Sequence, residues 1–131
     1  MARRGDTSTR EGLVSEPRIL EIRTYRLREG ERAAFDRIFR DEALPMLHRR
    51  GIEVVGFGPS IEDDVHFVLI RAFRSRDARN EQEAAFYGSD EWRSGPREAV
   101  LAPIESYHTI VLETTAEAVE ALTASLIRQP A

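Results

Sequence analysis

The sequence predicts an α+β domain of the ferredoxin-like type, with elements in the order β-α-β-β-α-β and one further helix at the end. Two observations support this. Four segments are rich in the β-branched and aromatic residues typical of strands. Amphipathic helical patterns separate the first segment from the second and the third from the fourth. This order predicts a four-stranded antiparallel sheet in one layer and helices in a second layer on one of its faces.

The first strand is predicted over residues 18–27, where residues with strong β propensity alternate with charged ones. After Gly30, apolar residues recur at helical spacing from Ala34 to Phe39. Proline lacks the backbone N–H that a helix interior needs, so Pro45 should break or kink this helix.

A short further turn is predicted to end at Gly51, because two arginines followed by glycine are a common helix C-terminus. Residues 52–57 form the predicted second strand and residues 65–73 the third. The third strand contains HFVLIRAF, a nearly continuous apolar run typical of a central strand that is buried on both faces.

Ser75 is the predicted N-cap of a second helix, which extends to about Tyr87. Ser89 then begins a short helix that carries Trp92. The fourth strand is predicted over residues 105–113.

The sequence divides into three predicted parts. Residues 1–17 are polar and without periodicity, and we expect a disordered leader. Residues 18–113 form the α+β-barrel domain, and residues 114–131 form a C-terminal amphipathic helix and tail.

One face of the sheet has no predicted helices to cover it. Strands this apolar would leave a large exposed patch, which monomeric proteins rarely have. Two copies that pair these faces would form a closed dimeric barrel, so the pattern predicts a homodimer.

Composition excludes several kinds of chemistry. All 19 basic residues are arginine, so a Schiff-base lysine and a phosphate-binding P-loop lysine are both absent. The chain has no cysteine, which excludes thiol nucleophiles and zinc–thiolate sites. The net charge of −4 disfavours nucleic acid or an anionic membrane as a partner. The N-terminal segment has no apolar region typical of a secretory signal, so we expect a cytoplasmic protein.

Three segments together resemble one family: LEIRTYRLREG at residues 20–30, LPMLHRRGIEVVGF at 44–57 and SDEW at 89–92. Their order and spacing are similar to those of the NIPSNAP family. The resemblance covers about residues 18–113. It implies a dimeric α+β barrel with no required metal or organic cofactor. Relatives in the broader superfamily include monooxygenases, isomerases, cyclases, haem proteins and stress proteins, so the fold does not determine the activity.

Strand alternation places Glu21, Arg23 and Tyr25 on one face, and Leu20 and Ile22 on the other. A layer that packs on helices should be apolar, so we expect Leu20 and Ile22 to face the helices. Glu21, Arg23 and Tyr25 would then point into the barrel and line a pocket, with Arg23 able to bind an anionic group. In the alternative interpretation, Glu21 and Arg23 pair with each other or with the partner subunit.

Further candidates are two histidines and a tryptophan. His66 begins the third strand and His108 lies within the fourth, and histidine is the natural proton-transfer group near neutral pH. With Tyr25 they are the catalytic candidates, although a lone histidine in a strand is more often part of a hydrogen-bonded scaffold. Trp92 is a candidate roof for a flat hydrophobic ligand, or part of a small core. No metal-ligand motif is present, so no metal site is predicted.

These features favour a small-molecule-binding barrel. It would bind a hydrophobic or aromatic metabolite, as a cofactor-independent enzyme of the oxygenase, isomerase or cyclase type. The alternative is a non-catalytic dimeric interaction or stress-related protein. An open cavity would favour the first interpretation, and a filled interior the second.

Overall fold

A computed structural model describes residues 16–126. The strands are β1 (Pro17–Leu27), β2 (Glu53–Pro59), β3 (His66–Phe73) and β4 (Ile104–Thr115). The α-helices are α1 (Arg32–Ile38), α2 (Leu44–Arg49), α3 (Arg76–Tyr87), α4 (Asp90–Arg93), α5 (Arg97–Leu101) and α6 (Ala116–Ser125). The predicted leader, apart from residues 16 and 17, lies outside the described residues, as does the tail after residue 126.

The four strands form one antiparallel sheet in the order β2-β3-β1-β4. Consecutive strands β2 and β3 form a hairpin. The two long helical connections join β1 to β2 and β3 to β4, and β1 lies between β3 and β4 in the sheet. This is the ferredoxin-like arrangement, so the predicted fold class is confirmed.

The first helical segment is interrupted, as its proline predicts, but the backbone stays helical throughout. A π-helical turn, Phe39–Ala43, joins α1 to α2. At its end the Leu44 N–H donates to the carbonyl of Phe39. Pro45 follows within the first turn of α2, where a missing N–H costs little.

Helices α1 to α5 cover one face of the sheet, and the main core lies between these two layers. Phe35, Phe39, Phe67 and Phe73 are almost fully buried there. Ring contacts at 5.0 Å join Phe35 to Phe67 and Phe39 to Phe57. Aromatic packing of this kind fixes the helices against the sheet and so positions the side chains beside it.

Helix α6 lies on the opposite face of the sheet. Its residue Val119 is buried with Leu20, Val55 and Ala72 in a second, smaller cluster. Leu126, just after the helix, packs at Gly56, where a methyl group would overlap its Cδ1 atom. The glycine therefore allows the end of this segment to lie directly on β2.

The remainder of this second face is open. Ile110 and Leu112 on β4 are 57% and 44% exposed, and each lies opposite an apolar residue of β1. We call the part of this face that α6 leaves uncovered the free sheet face.

The structure corrects the predicted orientation of β1. Leu20 and Ile22 point away from α1–α5 and pack with the α6 cluster. Glu21, Arg23 and Tyr25 point towards the helices. The prediction was wrong because it assumed an entirely apolar helix layer, whereas α3 and β3 supply charged partners for Glu21 and Arg23.

Candidate functional site

A cavity of about 390 Å³ lies between β1, β4 and the helices α3, α4 and α5. Ligand sites in proteins are usually concave and about 300–1,000 Å³ in volume. Its lining combines apolar, aromatic and charged side chains: Arg23, Tyr25, Glu83, Tyr87, Trp92, Arg97, Val100, Leu101, Ile104 and Tyr107. The cavity thus lies under the helices rather than inside a barrel formed by facing sheets.

A larger groove of about 540 Å³ runs along the outer side of α3. Its two arginines, Arg49 and Arg50, both pair with Glu91. None of the residues proposed from the sequence lines this groove, and the smaller cavity is therefore the stronger candidate.

Aromatic rings form much of the wall of the cavity. The rings of Tyr87 and Trp92 meet edge to face with their centroids 5.4 Å apart. Tyr25 lies between Phe35 and Tyr107, at centroid distances of 5.4 Å and 6.3 Å. Tyr107 is 56% exposed as a residue, and its ring is available to a flat ligand.

A buried ion pair lies beside the cavity. Glu21 and Arg71 are both 0% exposed, and Arg71 donates from Nε to Glu21 Oε1 at 2.7 Å, with Nη2 2.6 Å from the same oxygen. Arg79 reaches the other oxygen of Glu21 from Nε at 2.9 Å and from Nη2 at 2.8 Å. Two guanidinium groups therefore hold this carboxylate in place.

Glu83 on α3 shares these arginines but is held less tightly. Its Oε2 atom lies 3.1 Å from Arg71 Nη2 and 3.6 Å from Arg79 Nε. Its Oε1 atom lies 3.9 Å from Nη2 of Arg23. The two carboxyl groups, Glu21 and Glu83, also share a hydrogen bond.

The environments of the two carboxyl groups move their pKa values in opposite directions. Burial alone would raise the pKa of Glu21, but the hydrogen bond with Glu83 and the charges of Arg71 and Arg23 lower it to about 2. Burial, followed by the hydrogen bond with Glu21, raises the pKa of Glu83 to about 7. Because Glu21 has the closer guanidinium contacts, it stays ionised while Glu83 holds the shared proton.

Arg23 carries the positive charge at the cavity wall. Its Nε donates to Thr109 Oγ1 at 2.9 Å, and its guanidinium carbon lies 5.1 Å from the ring centre of Tyr107. It approaches Glu21 only to 3.7 Å, so the ion pair that the alternative interpretation predicted is present but loose. The guanidinium is thus positioned with capacity to bind a further anion.

Charge is not balanced around the cavity. Three guanidinium groups, those of Arg23, Arg71 and Arg79, face two carboxyl groups, of which Glu83 is only partly ionised near neutral pH. Arg97 also lines the cavity and makes no ion pair with any residue that the structure describes. The site therefore favours an anionic ligand.

Tyr25 is a poor proton acceptor at neutral pH. Burial and the nearby Tyr87 raise the pKa of its phenol to about 12, although Arg23 and Arg71 act in the opposite direction. The neutral hydroxyl is consequently available as a hydrogen-bond donor rather than as a base.

The structure does not bring the two histidines into this cavity. His66 lies at the start of β3, where its Nδ1 atom is 2.8 Å from Asp63 Oδ2 in an exposed turn. His108 pairs in register with Thr24 and is exposed on the free sheet face, on the other side of the sheet. Arg23, Tyr25 and Trp92 do line the cavity, and Glu21 lies immediately behind it.

Sequence reasoning missed Glu83 and Arg71. Two signals were available. Arg71 interrupts the apolar run of β3, and a charge in a central strand requires a buried partner. Arg79, Glu83 and Tyr87 follow one another at spacings of four on α3, which places them on one helix face.

Two further features concern only residues 16–126. Within this range no cluster of three or more histidine and acidic side chains could hold a metal ion. Nor is any of its helices both long enough and apolar enough to span a bilayer.

Comparisons with known proteins give a consistent result. The model of the NIPSNAP family matches residues 20–118. A NIPSNAP family protein of unknown function from Agrobacterium tumefaciens is 28% identical, with 75% of this chain and 88% of that one covered and a TM-score of 0.68. No curated protein matches the sequence.

Two more distant structures share the fold. An uncharacterized NIPSNAP-like domain protein from Burkholderia xenovorans is 18% identical, with 72% of this chain and 83% of that one covered and a TM-score of 0.67. SnoaB, a cofactor-independent oxygenase from Streptomyces nogalater, is 14% identical, with 72% and 90% covered and a TM-score of 0.54.

Proposed function

The chain belongs to the NIPSNAP family, and we propose that it is a homodimeric protein that binds a small aromatic or hydrophobic anion between its sheet and helices. The observation that carries this proposal is the cavity itself, in which aromatic walls meet the guanidinium group of Arg23. Such a combination suits a molecule with a flat apolar body and a carboxylate or enolate group.

The proposal includes catalysis without an organic cofactor, of the oxygenase, isomerase or cyclase type. SnoaB is described as a cofactor-independent oxygenase, but at 14% identity the likeness supports a common fold and not a common reaction. Support for a reaction comes from the cavity, where a carboxyl group that titrates near neutral pH faces a guanidinium group.

The alternative is a non-catalytic interaction or stress-related protein. It predicts that the ion pairs fill the space between sheet and helices. A cavity of about 390 Å³ remains beside them, which favours the binding protein.

Dimer formation is the second part of the proposal, and the exposed apolar side chains of the free sheet face support it. Ile110 and Leu112 lie near Ile22 and Ile70, which are only partly buried against α6. Pairing two such faces would remove this apolar area from water. Helix α6 would then lie beside the interface rather than fill it.

Light scattering with two variants tests the dimer. Ile110→Glu places a charge on the free sheet face, and we expect a monomer at micromolar concentration. Ile61→Glu makes the same change at a loop position that is 96% exposed, and the dimer should persist. A monomeric wild-type protein, or a dimeric Ile110→Glu variant, would contradict the proposed interface.

Trp92 provides a direct test of ligand binding because it is the only tryptophan in the chain and lines the cavity. Its fluorescence can be followed during titration with phenylacetate and with the neutral analogue phenylacetamide. We expect phenylacetate to bind more tightly, since a charge-assisted hydrogen bond contributes about 1.5–3 kcal/mol, or roughly 10- to 150-fold in affinity.

Arg23→Gln should remove most of this preference for phenylacetate and leave phenylacetamide binding within about threefold. Arg37→Gln, at an exposed position of α1, is the matched control and should change neither affinity. Equal affinity of the wild type for both ligands, or an unchanged preference in Arg23→Gln, would refute the proposed anion site.

A further inference from the structure

We propose that Glu83 is a catalytic acid–base residue of this site, and that its substrates are enolisable carbonyl compounds with an aromatic or apolar body and an anionic group. The inference rests on the proposed function, since the substrate would occupy the same cavity. It adds the identity of the proton-transfer residue and the chemical class of the substrate.

The first argument for this assignment is the position of Glu83 in the cavity. Glu83 contributes the one carboxyl group among the side chains that line the cavity, and its side chain is 13% exposed. It faces the same space as Trp92 and Tyr107, against which the body of a ligand would lie. A base must reach the proton that it removes, and Glu83 is placed beside the ligand volume rather than behind the sheet.

The second argument for this assignment is the set of charged groups around Glu83. The charged and titratable groups that face it are Glu21 and Arg23 on β1, Arg71 on β3, and Arg79 and Tyr87 on α3. Glu21 holds the two closest guanidinium contacts, so its carboxylate keeps its charge. Two neighbouring carboxyl groups with such different environments divide into a permanent anion and a group that exchanges a proton.

Both forms of Glu83 are accessible near neutral pH, because burial and the hydrogen bond with Glu21 raise its pKa to about 7. A general base is most effective when its pKa lies close to the working pH. The ordinary pKa of a glutamate would make it a much weaker base in the same position.

The reaction follows from these groups. The Glu83 carboxylate accepts a proton from the carbon next to the carbonyl, the C–H electron pair forms a C=C bond, and the C=O π electrons move to oxygen. Arg23 lies 3.9 Å from Glu83, and its guanidinium balances the enolate charge. Return of the proton from Glu83 to the same carbon restores the substrate, and its return to another carbon of a conjugated substrate completes an isomerisation. No oxidant or reductant is needed.

Phenylpyruvate in D₂O is a suitable probe because it combines a phenyl ring, a carboxylate and exchangeable methylene protons. Proton NMR follows the loss of the methylene signal, and saturation transfer in the same sample reports binding. We expect the wild type to accelerate exchange above the rate in buffer alone, with a rate that rises with pH through about 7.

Glu83→Gln should keep saturation transfer and lose about 100-fold or more of the protein-dependent exchange rate, together with the pH dependence. Glu83→Asp keeps a carboxyl group and should retain part of the rate. Arg37→Gln should behave as the wild type. A merely structural role for Glu83 would instead reduce binding and exchange together.

The outcomes separate the two proposals. The role of Glu83 is refuted if phenylpyruvate binds but exchange is not accelerated, or if Glu83→Gln exchanges as fast as the wild type. Neither result refutes the proposed binding site. If neither phenylpyruvate nor phenylacetate binds, both the proposed binding site and the proposed role of Glu83 are refuted.

Discussion

Replacing Glu21 by Gln tests whether the ion pair beside the cavity organises this part of the fold. The substitution keeps the shape of the side chain and removes its charge. Arg71 is fully buried and receives two of its close contacts from Glu21. Breaking a buried ion pair by removing one partner typically costs about 3–5 kcal/mol, because the remaining charge is left uncompensated.

We expect the lower end of this range, about 3 kcal/mol. Without the negative charge of Glu21, Glu83 would lose its proton more readily and pair with Arg71, 3.1 Å away. Even so, this loss is a large part of the roughly 5–15 kcal/mol that stabilises an ordinary domain.

Urea unfolding followed by tryptophan fluorescence measures this change in the free energy of unfolding. Glu105→Gln is the matched control, because Glu105 pairs with Arg26 at 3.1 Å while both side chains are about half exposed. Exposed pairs contribute about 0–1 kcal/mol. A loss below about 1 kcal/mol in Glu21→Gln, no larger than that of the control, would refute the reasoning.

Three other predictions concern the rest of the molecule. His66→Ala and His108→Ala should leave phenylacetate affinity within about twofold in the fluorescence titration, since neither histidine lines the cavity; a larger loss would place the ligand elsewhere. Val119→Asp should speed amide hydrogen exchange across α6, because a charge would replace a side chain that is 2% exposed; unchanged exchange would mean that this cluster does not hold the helix. The pKa of Glu83 is higher in the folded protein (about 7) than its ordinary value of 4.5. Between these two pH values the folded state binds a proton that the unfolded state has lost. The stabilisation that this bound proton gives is complete below about pH 4.5 and is lost as pH rises through about 7. Glu83→Gln should therefore flatten the fall in unfolding free energy between these two pH values.

Periodicity in the sequence was sufficient to predict the order of the strands and of the longer helices. The alternation of β1 also grouped Glu21, Arg23 and Tyr25 correctly on one face. It could not show which face this was, because that depends on whether the opposing helix carries partners for the charges. Helix α5 was missed, since a five-residue segment is too short for a helical period to be visible.

The candidate site was predicted only in part, for a related reason. Arg23, Tyr25 and Trp92 come together as expected from their residue types, although in a cavity under the helices. Glu83 lies far from Arg23 and Tyr25 in the sequence, and its raised pKa arises from burial and from its hydrogen bond with Glu21. Such contacts depend on how α3 packs on β1 and β3, which no local pattern specifies.

The central claim is that the ligand site lies between the sheet and the helices. A crystal structure of the protein grown with saturating phenylacetate tests it most directly. We predict the carboxylate within hydrogen-bonding distance of Arg23 and the phenyl ring against Trp92. Electron density for phenylacetate beside His108 on the free sheet face, or a cavity that stays empty, would contradict the claim.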